Sequence, residues 1–555
     1  MTAELAIRGG TVVDGTGAPG FVGDVAIEGG RITEIGPDLH GYRELDATGA
    51  IVAPGFIDIH THYDAQVLWD SALTPSCWHG VTTVIAGNCG FSLAPCRPQQ
   101  RELLARTLEH VEAMSLDALH AGISWDFETF PEYLAAVRRR GTLLNFGAFV
   151  GHTAVRLFVM GDEAYERAAT ESEVNAMQAV VADALESGAI GFSTSLNPAH
   201  QGAEGRPVPS RFADAAEVRA LLEVPCRAGR GVVQILPGEG VTLDDVFDAA
   251  PDLECPIVFS EVLTRADGEH QRRLERLLSV RRHGADNLWG LMAVHPIVFR
   301  FHLRDPFPFD MLPEFARLHA RPARERVTCY SDPEWRRVVQ EELDRRAGYR
   351  WDAMYFEETS RTELVGRTVA DVAAERSMSP IDTMFTTALD EDLATRFRVV
   401  ILNDDRQGID ALLQSEGLLV GLSDAGAHAT QLCDAGFAAT LLGTFVRERC
   451  ALSVEEGVYK LTGQPAAAFG IPGRGILQPG FAADIAVFDP VTVDPGPLRR
   501  VWDFPADSDR LVADQPEGIV HVVVNGTVIR ESGHSVEAAT LDRYPGEPIA
   551  PARAP

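Results

Sequence analysis

The sequence predicts an α/β protein built around a parallel barrel, and two observations carry that expectation. Short apolar stretches near residues 81–87, 143–149, 189–193, 231–236, 256–260 and 287–294 alternate with segments of helical period such as 171–187 and 214–224. The second observation is the run Gly55-Phe56-Ile57-Asp58-Ile59-His60-Thr61-His62. The stretch 51–57 is almost wholly apolar, as a parallel strand buried on both faces would be, and it ends in two imidazoles. Residues i and i+2 of an extended chain share a face, so His60 and His62 can converge on one metal ion. They would do so at the carboxyl end of a strand, where barrel enzymes place their chemistry.

The chain ends have a different texture. Leu5 to Gly15 and Asp24 to Ile32 read as short strands broken by glycine turns, and a matching pattern closes the chain at Gly475 to Asp489 and Val522 to Gly526. Together with the Pro-Gly-Phe-Ile-Asp-Ile-His-Thr-His segment, these features resemble the amidohydrolase superfamily over nearly the whole chain. The resemblance implies a metal-dependent (β/α)8 TIM barrel with a small composite β-sandwich made from both ends. On that reading residues 1–52 and 474–535 form the sandwich, 53–473 the barrel, and 536–555 a Pro- and Ala-rich C-terminal arm.

Gly80 to Pro95 reads as a β-branched strand ending in Asn88-Cys89-Gly90, which resembles the second barrel strand of the N-acyl-D-amino-acid deacylases (D-aminoacylases). The stretches Val150-Gly151-His152-Thr153 and Gly188 to Leu196 resemble that family as well. The resemblance makes Cys89 a metal ligand; on its own the residue reads equally as a small buried hydrophobe. Leu418 to His428 delivers Asp424 to the same barrel end, and by resemblance Asp424 is the last-strand aspartate of the superfamily. A carboxylate beside an activated water can take its proton as it attacks a carbonyl, although an Asp after a strand also serves as a helix N-cap.

This sequence departs from the family where D-aminoacylases carry histidines after the fifth and sixth barrel strands. Gln234 and Glu261 align there, and Leu263 replaces the substrate-binding lysine. An amide oxygen is a poor zinc ligand and a carboxylate a respectable one, so one zinc ion is expected and a second is in doubt. A carboxylated-lysine bridge is excluded, because the only lysine is Lys460, far past the barrel strands. Gln234, Glu261, His152 and His295 are the further candidates for a metal or substrate contact. Arg265, Arg300 and Arg304 are the candidates for binding a substrate carboxylate in place of the missing lysine.

Between about 297 and 397 the alternation is interrupted by an Arg- and aromatic-rich insertion containing Phe299-Arg300-Phe301-His302, placed either to cover the barrel mouth or to form a homo-oligomer contact. A net charge of −31 over 555 residues argues against nucleic acid or an anionic membrane as partner. Eight cysteines without paired spacing, no secretory signal and no membrane-length apolar run point to a soluble cytoplasmic protein with free thiols. The expected activity is hydrolysis of a linear amide, an N-acyl (D-)amino acid or related acylated amine as small-molecule substrate. A cyclic-amide hydrolase on the same barrel and a non-catalytic scaffold are the alternatives.

Overall fold

The chain changes sheets at Gly55. In a computed structural model, which describes residues 2–202, 205–304, 306–309, 312–319, 321, 323–345, 350–537 and 540–552, the apolar run 51–57 is two strands rather than one. Ile51–Pro54 pairs antiparallel with Ile485–Phe488, whereas Phe56–Asp58 runs parallel to Val81–Ala86 as the first barrel strand. The switch is made by backbone hydrogen bonds, the Gly55 N–H donating to the Asp484 carbonyl at 2.8 Å and the Phe56 N–H to that of Gly80 at 3.0 Å. Only glycine fits at the crossing, since a Cβ on Gly55 would lie 2.1 Å from Thr82 Oγ1.

Pairing across Ile51–Pro54 and Ile485–Phe488 merges both chain ends into one 9-stranded sheet. The barrel sheet is 8-stranded, continuing through Asn145–Gly151, Gly191–Ser195, Val232–Leu236, Ile257–Ser260 and Leu288–Met292 to Leu418–Val420, with every neighbouring pair parallel. First and last strands meet just beyond their ends, at a parallel bridge between Thr61 and Ala425 and a 2.8 Å hydrogen bond from the His62 N–H to the Ala425 carbonyl. Ile57, Ile85, Phe149, Ile190, Val258 and Leu419 fill the interior, so it is a packed core with chemistry confined to its rim.

Ile297–His302, Met354–Glu358 and Arg396–Leu402 form a separate antiparallel sheet in the insertion. Phe301, Phe309, Phe315, Phe356, Phe385 and Phe397 give it its own hydrophobic core. It is tied to the barrel rim by the Arg300 N–H, which donates to the Gln431 carbonyl at 3.1 Å.

Two sequence expectations are corrected here. The C-terminal segment is not an arm standing off the core, because Ile549 is buried in the barrel floor and bonds backbone to backbone with Phe146. Residues 538–539 and 553–555 of that segment lie outside the described residues. The thiols are not all free either: Cys226, on the helix Ala215–Arg227, forms a disulfide with Cys255, just ahead of the sixth barrel strand, with a Cα–Cα separation of 4.7 Å. These residues are distant in sequence, and the αβ packing of the barrel alone brings them together. Cys77, Cys89, Cys96, Cys329, Cys433 and Cys450 are free. Among the described residues no helix is long and apolar enough to cross a membrane.

Candidate metal centre

His60, His62 and Cys89 are buried together with their donor atoms within 4.8 Å of one another. Cys89 Sγ lies 3.5 Å from His60 Nε2, and Asp424 Oδ1 lies 3.3 Å from His60 Nε2 and 3.6 Å from His62 Nε2. Ligands of a tetrahedral ion with bonds of about 2.0–2.3 Å are separated by about 3.3–3.8 Å, so these spacings suit one zinc ion. The side chain of Asp424 is 20% exposed against 1% and 6% for the histidines, which puts the solvent-facing edge of the cluster at the carboxylate.

Each donor is fixed by its neighbours. The Asn88-Cys89-Gly90 turn places Cys89 in the left-handed region at φ 55, and three bonds pin that turn. The Cys89 N–H donates to Gln234 Oε1 at 2.8 Å, the Gly90 N–H to Ser193 Oγ at 3.0 Å, and Asn88 Nδ2 to the Ile85 carbonyl at 3.0 Å. On the opposite side, buried Asp58 accepts from Ser423 Oγ at 2.6 Å, which joins the first strand to the loop carrying Asp424. Gly426 lets that loop run against the first strand, for its φ is +89 and a Cβ there would sit 2.8 Å from the His62 backbone.

Charge reinforces the geometry. Burial pulls His60 toward neutrality, yet Cys89 and Asp424 outweigh it and push the imidazole up to about 9. His62 is likewise raised against the effect of burial, by Glu112 and Asp424. Burial works to raise Cys89 and Asp424, but the two histidines hold the thiol below its ordinary range and the carboxyl well below. Two anionic donors facing two imidazoles form a set that a divalent cation satisfies by displacing protons. The residues fit a zinc ion.

The other candidates are placed differently. Gln234 accepts from Cys89 and donates from Nε2 to Ser260 Oγ at 3.1 Å, so it buttresses the cysteine turn. Glu261 is engaged by Arg265 at 2.9 Å beside a cavity of about 210 Å³ lined also by Asn197, Ser260 and Arg273. Both ring nitrogens of His152 are taken, Nδ1 by Thr194 Oγ1 at 2.8 Å and Nε2 by Glu217 at 2.9 Å, leaving none for a metal. His295 is buried with Nδ1 3.5 Å from Asp434 Oδ2. Leu263 lies in the barrel core. Arg300 pairs with Glu357 at 2.9 Å, and Arg304 donates to the Asp392 carbonyl at 2.8 Å.

Sequence reasoning missed Glu112, at the end of the helix Arg101–Glu112, whose Oε1 lies 3.1 Å from His62 Nδ1. It also missed His200, whose ring packs on Phe91, and Asp434. None belongs to a local pattern, and only contact across the rim reveals them.

The amidohydrolase family profile matches residues 43–530. A D-aminoacylase of Alcaligenes xylosoxydans xylosoxydans is 31% identical over 502 residues, 88% of this chain and 89% of that protein. The structure of N-acyl-D-glutamate deacylase from Bordetella bronchiseptica, complexed with zinc and a phosphonate mimic of the tetrahedral intermediate, superposes with a TM-score of 0.69 at 27% identity, covering 99% of this chain and all 100% of that one. A D-aminoacylase with a binuclear metal centre, for which one-metal activation and second-metal attenuation are described, gives 0.67 at 27% identity over 99% and 100% of the two chains. The chain belongs to the amidohydrolase family, and its relatives make it a metal-dependent hydrolase of carbon–nitrogen bonds other than peptide bonds.

Proposed function

We propose that the protein is a zinc-dependent deacylase of N-acyl amino acids or related acylated amines. The observation that carries this reading is the convergence of His60, His62 and Cys89, whose donor atoms lie within 4.8 Å of one another, with Asp424 Oδ1 at 3.3 Å and 3.6 Å from the two imidazoles. Zinc held there supplies Lewis acidity, polarising the amide carbonyl and acidifying a water. Asp424, ionised at neutral pH and at the open edge of the cluster, accepts the proton of that water and returns it to the leaving nitrogen. His60, His62 and Cys89 would hold the ion, with Asp424 as a further donor or as the base alone.

One ion suffices. Gln234 is committed to Cys89 and Ser260, and Glu261 to Arg265, which supports a mononuclear centre where the D-aminoacylase neighbour has two metals. The relatives' names favour an acylated D-amino acid. With Arg265 and Arg300 already paired to carboxylates, acylated amines lacking an α-carboxylate belong in the same panel. We assign the protein to the cytoplasm, where the free thiol of Cys89 can bind zinc; the Cys226–Cys255 disulfide is then an exception to the reduced state of the other six cysteines.

The test is zinc content together with turnover of N-acetyl D- and L-amino acids, N-acetyl amines and cyclic ureides. About one zinc per chain with hydrolysis of a linear amide is expected. Turnover of cyclic substrates alone would move the assignment to cyclic-amide hydrolysis. Full activity after exhaustive metal removal would refute it.

A further inference from the structure

The helix Arg101–Glu112 ends on an acidic residue that is only 3% exposed. That is a doubly unfavourable place for a carboxylate, since burial penalises the charge and the negative end of the helix dipole repels it. Ala113, at φ 47, breaks the helix at this point and leaves Glu112 facing the barrel rim. Oε1 of Glu112 lies 3.1 Å from His62 Nδ1, and among the described residues neither of these buried atoms has a hydrogen-bond partner, so each faces the other alone. The contact has ion-pair distance without ideal hydrogen-bond alignment. The backbone holds the same residue from behind, because the Ala429 N–H donates to the Glu112 carbonyl at 3.2 Å, in the loop that carries Asp424.

We propose that Glu112 is a positioning residue of the metal centre, its carboxylate fixing the Nδ1–H tautomer of His62 so that the Nε2 lone pair faces the ion. The inference rests on the zinc reading of the site. The geometry divides the His62 ring cleanly: Nδ1 meets Glu112, while Nε2 faces Asp424 Oδ1 at 3.6 Å. A carboxylate behind a ligating imidazole fixes its orientation and raises its basicity, and loss of such a partner typically weakens metal binding by about 10- to 100-fold. His60 has no counterpart among the described residues, for its one ion-pair contact is made by Nε2 with Asp424 and no carboxylate stands against its Nδ1. The helix 101–112 therefore acts on the centre through one ligand only.

Zinc affinity of the full chain, measured by competition with a chelator, tests this directly. Glu112→Gln keeps the shape and removes the charge; about 10- to 100-fold weaker zinc binding is expected. In zinc-loaded protein labelled with ¹⁵N-histidine, the His62 Nδ1–H signal should shift while that of His60 stays in place. Glu217→Gln is the control, since it removes an equally buried carboxylate that serves His152 and Arg156; it should lower the melting temperature and leave zinc affinity unchanged. Should Glu112→Gln not fold, Glu112→Asp is read by the same competition and should bind zinc with intermediate affinity. Wild-type affinity with an unmoved His62 signal in either variant overturns the role of Glu112 alone. Failure of the wild-type protein to bind zinc overturns the metal reading itself.

Discussion

Asp424 and Cys89 both hold left-handed backbone, at φ 47 and φ 55, just past the ends of barrel strands. Such conformations cost non-glycine residues of order 1–3 kcal/mol and persist where the surroundings impose them. Here the Cys89 N–H on Gln234 and the Ser423 hydroxyl on Asp58 are the restraints. Asp424→Asn preserves shape and tolerates the same backbone, so the variant should fold while kcat falls about 100- to 10,000-fold, the usual worth of a general base. An unchanged kcat would show that the proton goes elsewhere. Cys89→Ala separates two roles: loss of zinc at nearly unchanged melting temperature marks a ligand, and a lower melting temperature with zinc retained marks a packing residue. The four converging donors were legible because each closes a strand within a motif. Gln234 was legible by position but not by job, since its bond to the Cys89 N–H crosses between the second and fifth strands. Glu112 was invisible because a helix-end glutamate carries no sign of the imidazole it meets.

Among the elements, helix Val454–Leu461 shows how the chain treats its one lysine. Ser453 caps the helix and Glu456 completes the capping box, which fixes its start from sequence alone. Lys460, in the last turn, is only 8% exposed, and burial brings its ammonium down to about 8 from 10.5 despite the nearby Glu456. A depressed lysine pKa destabilises the fold wherever the amine is charged in both states. The penalty is therefore complete below pH 8, shrinks between pH 8 and 10.5 and is absent above that range. Its size is on the order of 3 kcal/mol by linkage. Lys460→Met should raise the melting temperature at neutral pH, and the advantage should narrow as pH climbs toward 10.5, readable by calorimetry across that window. A gain independent of pH would trace the effect to packing. The apolar strands were readable for the same reason this helix was, as local composition reports burial. The split at Gly55 was not, because Ile51–Pro54 and Phe56–Asp58 are equally apolar and only their partners differ.

At the scale of the whole molecule, the proposed metal centre coincides with the seam where the barrel closes. Seven strand-to-strand pairings hold the barrel sheet together, but among the described residues first and last strands form no ladder and meet at their ends through the Thr61–Ala425 bridge, the His62–Ala425 hydrogen bond and the Ser423 hydroxyl on Asp58. His60 and His62 lie on one side of that seam and Asp424 on the other. An ion bound to these residues staples two ends of the chain separated by almost the whole barrel, and ligand binding to the native state raises its stability in proportion to ln(1 + [L]/Kd). Stability in a fold is not uniform, and a short seam is where opening is least costly. Chelating the zinc should therefore speed amide hydrogen exchange at 57–63 and 418–426 first, leaving the central strands 191–195 and 232–236 protected. The insertion, with its own phenylalanine core, should be unaffected. Exchange measured by mass spectrometry with and without chelator reads this directly. Uniform acceleration throughout the barrel would place the ion's contribution in global stability, and no change at the seam would mean that Asp58, Ser423 and the Thr61–Ala425 bridge close the barrel without help from the metal.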